Sequence, residues 1–178
     1  MALKREDVKL FAENKAKVCK NNDSVDRELF TEYGVKRGLR DLNGKGVLTG
    51  ITNISRVESS EIVNGKSVPC EGKLYFRGYK IQDLVKGFMD DKRFGFEEVA
   101  YLLLFGELPN EDELNEFKEM LAYSRQLPTN FVRDVIMKAP SEDIMNSLTR
   151  SVLTLASYDK NVSDTSLENV IRQCIQLI

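Results

Sequence analysis

The chain has 178 residues, 42% hydrophobic and 30% charged, with only four prolines and eleven glycines. This is soluble-globular composition for one or at most two domains, and it excludes collagenous and low-complexity classes. Twenty-six bases stand against 28 acids for a formal charge of −2, and histidine and tryptophan are absent. Zero histidine excludes Ser-His and Cys-His nucleophile pairs, His-ligated metals and any imidazole acid–base step within this chain. By itself, the chain is a poor candidate for a complete enzyme.

Residues 1–46 hold 11 bases and 8 acids, and the remainder is acidic. Those bases are interspersed rather than clustered on one face, so no nucleic acid is expected as partner. The three cysteines, Cys19, Cys70 and Cys174, are too far apart for a CxxC site. An odd count in a mid-sized chain fits reduced thiols and a cytoplasmic setting. The start Met1-Ala-Leu-Lys-Arg-Glu-Asp7 meets acids early and never builds an apolar run, which is unlike a signal peptide, and the longest apolar run, Val99–Phe105, is far too short to span a membrane.

In chain order, Leu3 to about Lys20 reads as a charged helix with a thin apolar stripe of Val8, Phe11, Ala12, Lys15 and Val18. The cluster Asn21-Asn22-Asp23 ends it, and Asp23 or Ser24 is placed to cap a short second helix. The glycine- and base-rich stretch from Tyr33 to Gly46 reads as a loop. Asn64-Gly65 favours a type I′ hairpin, Glu71-Gly72 offers a second turn, and Leu74-Tyr75-Phe76 follows, so a small β element of two hairpins is expected.

From residue 80 the period is helical. Ile81, Leu84 and Val85 mark one helix. Phe96, Val99, Ala100, Leu103 and Leu104, filled in by Tyr101, Leu102 and Phe105, mark another, apolar almost all round and expected to be buried. Gly106 and Pro109 end it. Asn110 with Glu113 forms a capping box for a helix carrying Leu114, Phe117 and Leu121. A short helix is expected over Phe131–Met137, and Ser141 is placed to cap the next, with Ile144, Leu148, Val152 and Leu155 in one stripe. Asp164 or Thr165 opens the last, which carries Leu167, Val170, Ile171, Cys174, Ile175 and Ile178. That stripe reaches Ile178 without a stop signal, as a longer helix cut through would.

Several motifs dissolve on inspection. Gly65-Lys66-Ser67 resembles the tail of a P-loop, but Ser60 stands where the first glycine belongs. Gly44-Lys45-Gly46 lacks the third glycine of a dinucleotide fingerprint. Ser157-x-x-Lys160 is a spacing that chance supplies among 12 serines and 15 lysines. Asp90-Asp91, Glu97-Glu98 and Asp112-Glu113 are adjacent pairs, which point to different sides of a helix; the latter two read as helix-start acids. Lys36-Arg37-x-x-Arg40 reads as a solvated loop.

A larger pattern does carry weight. Lys73 to Leu84, with Arg77-Gly78-Tyr79 at the end of a strand, is followed by Phe96-Glu-Glu-Val-Ala-Tyr-Leu-Leu-Leu-Phe-Gly-Glu-Leu-Pro109, then Leu127-Pro128, then Asp143-Ile-Met-Asn-Ser-Leu148. With Tyr33 to Arg40 and Gly46 to Ile51 ahead of them, these motifs resemble, in order, the N-terminal part of bacterial Firmicute-like citrate or 2-methylcitrate synthases. The resemblance runs from about residue 28 to the end. It departs at Glu142–Met145, where family members commonly carry His-Pro-Met, a difference that bears on subfamily.

The resemblance implies a mainly α fold, a multi-helical fragment of the large domain with a small N-terminal β-hairpin element. It divides the chain into an arm and basic loop (1–46), the β element (47–79) and the helical part (80–178). It also implies a carbon–carbon bond-forming acyltransferase that condenses acetyl-CoA with oxaloacetate to citrate and CoA. In that family a carboxylate takes a methyl proton, histidines stabilise the enol and polarise the keto carbonyl, and arginines clamp the dicarboxylate. Those residues lie later in the family sequence. No catalytic, cofactor-binding or metal-ligating residue is therefore assigned here, no metal or covalent cofactor is expected, and acetyl-CoA is a substrate of the full-length enzyme alone. The implied partner is a second copy, through the helices at 142–156 and 166–178, with no membrane partner. The competing expectation is a non-catalytic interaction or regulatory module on the same scaffold.

Overall fold

A computed structural model describes residues 5–36, 38–40 and 46–178. The start of the chain, Arg37 of the basic cluster and the Gly44-Lys45 pair lie outside the described residues. Helix α1 spans Arg5–Asn22. Val8, Phe11, Ala12, Ala16 and Cys19 are buried along it, at the i, i+3, i+4 spacing of one helix face. Lys15 shares that face at 7% exposure, with its ammonium 6.0 Å from the centre of the Phe11 ring. Its methylene stem fills the stripe where an apolar residue would sit.

Helix α2 (Arg27–Glu32) is capped by Asp26, whose carboxylate accepts from the Glu28 amide at 2.9 Å. The cap therefore lies beyond both expected candidates, Asp23 and Ser24. Asp23 is drawn into an ion pair with Arg77 instead.

Strands β1 (Ser55–Val63), β2 (Lys66–Phe76) and β3 (Tyr79–Lys80) form an antiparallel sheet in the order β1-β2-β3. Asn64 and Gly65 both take positive φ, 51° and 75°, as the type I′ turn requires. The second turn, however, is not at Glu71-Gly72. Strand β2 runs straight through that dipeptide, and Ser59 alone faces Cys70-Glu71-Gly72 between the pairs Glu58↔Lys73 and Ser60↔Pro69. The extra residues are absorbed as a bulge, which costs less than breaking a strand already paired on both sides of it. The turn falls instead at Arg77-Gly78, with φ of 48° and 88°.

Helices α3 (Ile81–Asp90) and α4 (Phe96–Phe105) follow. Gly95 precedes α4 because the Phe88 ring lies against it; a β carbon there would stand 2.3 Å from that ring. Tyr101, Leu102 and Phe105 are fully buried, the two rings meeting edge-on at 4.6 Å. Burial all round α4 is not observed. Phe96 is 60% exposed and Val99, Ala100, Leu103 and Leu104 are half-buried, so one face of the helix stays open among the described residues.

Helix α5 (Glu111–Ser124) begins with the expected capping box. The Glu113 amide donates to Asn110 Oδ1 at 3.0 Å, and the Asn110 amide donates to Glu113 Oε2 at 3.1 Å. Val132–Met137 forms a wide helical turn with i→i+5 bonding. Helix α6 (Ile144–Leu155) is capped by Asp143, which accepts from the Asn146 amide, and not by Ser141; the Ser141 hydroxyl accepts from the Asp143 amide instead. Helix α7 (Leu167–Leu177) starts after Ser166, whose amide is held by the Asp164 carboxylate at 2.9 Å.

The elements group into two units. Val18–Leu114 form one, around Leu84, Tyr101, Leu102 and Phe105. The other described residues form the second, around Phe11 stacked on Phe117 at 6.3 Å, with Leu121, Phe131, Ile171 and Ile175 buried.

Candidate functional site

Three features stand out, and none is an acid–base set. The first is the C-terminal turn of α4. Its last four carbonyls have no partner within the helix and must be satisfied from outside. The Gly106 amide takes Leu102 O at 2.8 Å, with Gly106 left-handed at φ 83°. Arg77 Nη2 donates to Leu103 O at 2.9 Å, Cys19 Sγ to Leu104 O at 3.2 Å, and Asn22 Nδ2 to Phe105 O at 2.7 Å. The four orphan carbonyls of α4 are thus met by its own capping glycine, by two residues at the end of α1 and by Arg77.

Arg77 is the hub of this arrangement, its side chain only 4% exposed. Besides Leu103 O, its guanidinium reaches Asp23 Oδ1 at 2.6 Å and Asn53 Oδ1 at 3.0 Å. Asn53 in turn donates to Asn22 O at 2.7 Å, closing the end of α1. A cation set against a helix C-terminus also meets the negative end of its dipole.

The second feature lies in the other unit. Arg172 on α7 donates to Asp159 Oδ2 at 2.6 Å, to Asn169 Oδ1 and to Gln176 Oε1. Gln173 donates to the same Asp159 oxygen at 3.1 Å. Asn169, 6% exposed, donates to Asn161 O and Asp164 O, so one carboxamide holds the whole loop ahead of α7. Burial pushes the Asp159 carboxyl up, but hydrogen bonds from Arg172, the Asn161 amide and Gln173 outweigh it and hold it at about 2. A carboxyl held below its ordinary value stabilises the fold above that ordinary value, and loses the contribution as pH falls from about 3.8 towards about 2. Asp159→Asn should remove this acid limb. Urea midpoints across that pH window should then fall less in the variant than in the parent; parallel falls would refute the assignment.

The third feature is the exposed apolar surface of α6, with Ile144, Met145 and Leu148 towards one side and Leu153 on the opposite one. Ile144, Met145, Leu148 and Leu153 are each more than half exposed, and Met137 just before them is 68% exposed. That is more exposed apolar surface than the other helices of its unit present on one stretch of chain.

The remaining sequence motifs fall where local chemistry puts them. Gly65-Lys66-Ser67 turns into β2, and no helix follows it. Ser157 sits in a short 3-10 turn, and Lys160 is exposed just after it. Glu98 accepts from Arg93 at 2.6 Å, Asp91 from Arg93 at 3.0 Å, and Asp90 pairs with Lys86. Lys36 donates its amide to Leu48 O, and Arg40 bridges to Gly46. Among the described residues, no group of three or more Cys, Asp or Glu side chains is arranged to hold a metal ion. No helix among them is long and apolar enough to cross a membrane.

Sequence reasoning missed both hubs. The signal was present for the first: two asparagines and an aspartate at a helix end, and an arginine in the Arg-Gly-Tyr strand end. What joins them is contact between segments more than 20 residues apart, which no local pattern encodes.

This arrangement, a mainly α chain with a small three-stranded antiparallel sheet, is of citrate synthase type. The crystal structure of citrate synthase from Pyrobaculum aerophilum superposes with a TM-score of 0.57 at 24% identity, over 80% of this chain and 36% of that one. Residues 39–178 match the family described as "Citrate synthase, C-terminal domain". The citrate synthase of Saccharolobus solfataricus is 32% identical over 117 residues, which are 65% of this chain and 28% of that protein. The 2-methylcitrate synthase 2 of Corynebacterium glutamicum is 30% identical over 141 residues, 79% of this chain and 31% of that protein. The chain belongs to the citrate synthase family. It spans less than a third of the length of these two curated relatives.

Proposed function

We propose that the chain is the scaffold-forming early part of the large domain of a citrate or 2-methylcitrate synthase, an acyltransferase that joins acetyl-CoA to oxaloacetate and releases CoA. The observation that carries this reading is the family match over 39–178 in a chain with no histidine. Its contribution is structural. The Arg77 hub ties the base of the hairpin and the end of α1 to α4, and the Asp159–Arg172 hub ties down the loop that leads into α7.

The 178-residue chain alone is inactive in this reading, because nothing in it can supply the imidazole steps of the family reaction. A cytoplasmic setting belongs to the same proposal and rests on the free thiols. So does a homodimer. The open apolar face of α6 supports it more than α7 does, because Ile171 and Ile175 are buried within their own unit, leaving Leu167, Val170, Leu177 and Ile178 outside.

One purified sample tests both claims. Incubation with acetyl-CoA and oxaloacetate should release no free thiol above the protein-free rate, and light scattering after size exclusion should give a mass above 20.3 kDa. Leu148→Glu should return the mass to that of a monomer. Turnover by the chain would overturn the inactivity, and a monomer at tens of micromolar would overturn the dimer. The open α6 face equally suits the interaction-module reading. That reading gains if a stop codon follows Ile178, and loses if the frame continues into histidine-bearing motifs.

A further inference from the structure

The β1–β2 hairpin is divided by its bulge. Beyond Ser59 only four cross-strand pairs remain: Ser60↔Pro69, Glu61↔Val68, Ile62↔Ser67 and Val63↔Lys66. One of the four contains proline, which brings no N–H to the ladder. Every residue from 59 to 69 is exposed, with Ile62 at 73%, so no buried apolar face anchors this tip. A short two-stranded ribbon without a packed face is marginal in water and opens locally at little cost. At its end sits Asn64-Gly65, where a β carbon on Gly65 would meet nothing within 4 Å. In a two-residue turn closed by Val63↔Lys66, the Gly65 amide lies outside the ladder.

We infer that Asn64-Gly65 is a self-modification site, at which the opened hairpin tip deamidates without an enzyme. The Gly65 backbone nitrogen attacks Asn64 Cγ. The new N–Cγ bond closes a five-membered imide, the Cγ–Nδ2 bond breaks, and Nδ2 leaves as ammonia carrying the former Gly65 amide proton. Water then opens the imide. Addition at Cγ restores a normal backbone with an aspartate at position 64, whereas addition at the backbone carbonyl leaves the chain running through the side chain as isoaspartate. The balance is one water consumed and one ammonia released, with no oxidant or reductant.

Glycine makes the attack possible, since no side chain shields its nitrogen. The closed turn, with Asn64 left-handed at φ 51°, opposes it, so the reaction draws on opened tips. An aspartate product still suits the type I′ turn, where Asp is a favoured residue. Isoaspartate does not, because its extra backbone methylene lengthens a two-residue loop whose register depends on that length. Once formed, it holds the tip open, while the loss of ammonia makes the deamidation itself one-way.

Timed incubation of the full chain, followed by trypsin and mass spectrometry, tests this. Cleavage after Arg56 and Lys66 isolates Val57–Lys66, whose one asparagine is Asn64, while Gly46–Arg56 carries Asn53 as an internal reference. The Val57–Lys66 peptide should convert to an aspartate and isoaspartate doublet an order of magnitude faster than the reference converts, and faster still at higher pH. Unfolding in urea should accelerate it further, and Asn64→Gln should abolish the doublet. Hydrogen exchange should show protection of Glu61–Val68 lost in the isoaspartate form and kept in Asn64→Asp. Conversion no faster than that of Asn53 overturns the site. Equal rates in folded and unfolded chain overturn the gating by tip opening.

Discussion

Arg77→Ala should destabilise the Val18–Leu114 unit by roughly 2–4 kcal/mol, the cost of several charge-assisted hydrogen bonds lost from a buried group. The ion pair is the smaller part. Asp23 is 41% exposed and rehydrates when the arginine is removed, so its share resembles that of a surface pair, about 1 kcal/mol or less. The larger part is the part-buried carbonyl of Leu103, which loses its donor, and the space left by a side chain only 4% exposed; Asn53, like Asp23, is exposed and rehydrates. Asp23→Asn should therefore cost far less than Arg77→Ala. Arg77→Lys should fall between them, because one ammonium cannot reach three acceptors spread around a planar fork. Urea unfolding followed by far-ultraviolet circular dichroism and tyrosine fluorescence reads all three. Equal costs for Asp23→Asn and Arg77→Ala would show that the ion pair, not the capping of α4, is what Arg77 supplies.

The second large effect is expected at Gly106. Alanine there must adopt the left-handed φ of 83°, at a cost of about 1 kcal/mol. Its β carbon would also stand 2.7 Å from Asn22 Cβ, and overpacking of that kind adds roughly 1–3 kcal/mol. The shift also endangers the Asn22 Nδ2 bond to Phe105 O. Gly65→Ala is the matched control, since its φ of 75° carries the same backbone penalty with no neighbour within 4 Å. Gly106→Ala should lose roughly 2–4 kcal/mol and Gly65→Ala about 1. Similar losses would remove the steric term and leave only the backbone.

Much of the fold is legible because it is local. Asn110 and Glu113 meet across one helical turn, Asn64-Gly65 closes a two-residue loop, and α4 ends at a left-handed glycine. Each is decided within a few residues, where propensity and hydrogen-bond reach dominate. The misplacements share one cause. Glu71-Gly72 has turn chemistry, yet the pairing on either side of it keeps β2 extended. Asp23 has capping chemistry, yet it pairs with Arg77, which lies 54 positions along the chain. Asp143 lies nearer the start of α6 than Ser141 does, and takes the cap. In each case a competing partner or a better-placed neighbour overrode a sound local preference.

Sequence alone determined the family, through ordered motifs from Tyr33 to Leu148, and it determined the bound on chemistry, because side chains that are absent cannot act. It determined the helices too, since the 3.6-residue period of apolar side chains is written along the chain. Which apolar faces are covered was decided only by tertiary structure. Ile171 and Ile175 are buried while Ile144 and Met145 stand open, although the stripes read alike in one dimension. The same holds for the hubs. Arg77 and Arg172 are two arginines among many until folding sets each beside a carboxylate and a row of acceptors. A charge is worth burying only where such partners converge, and convergence is a property of three dimensions.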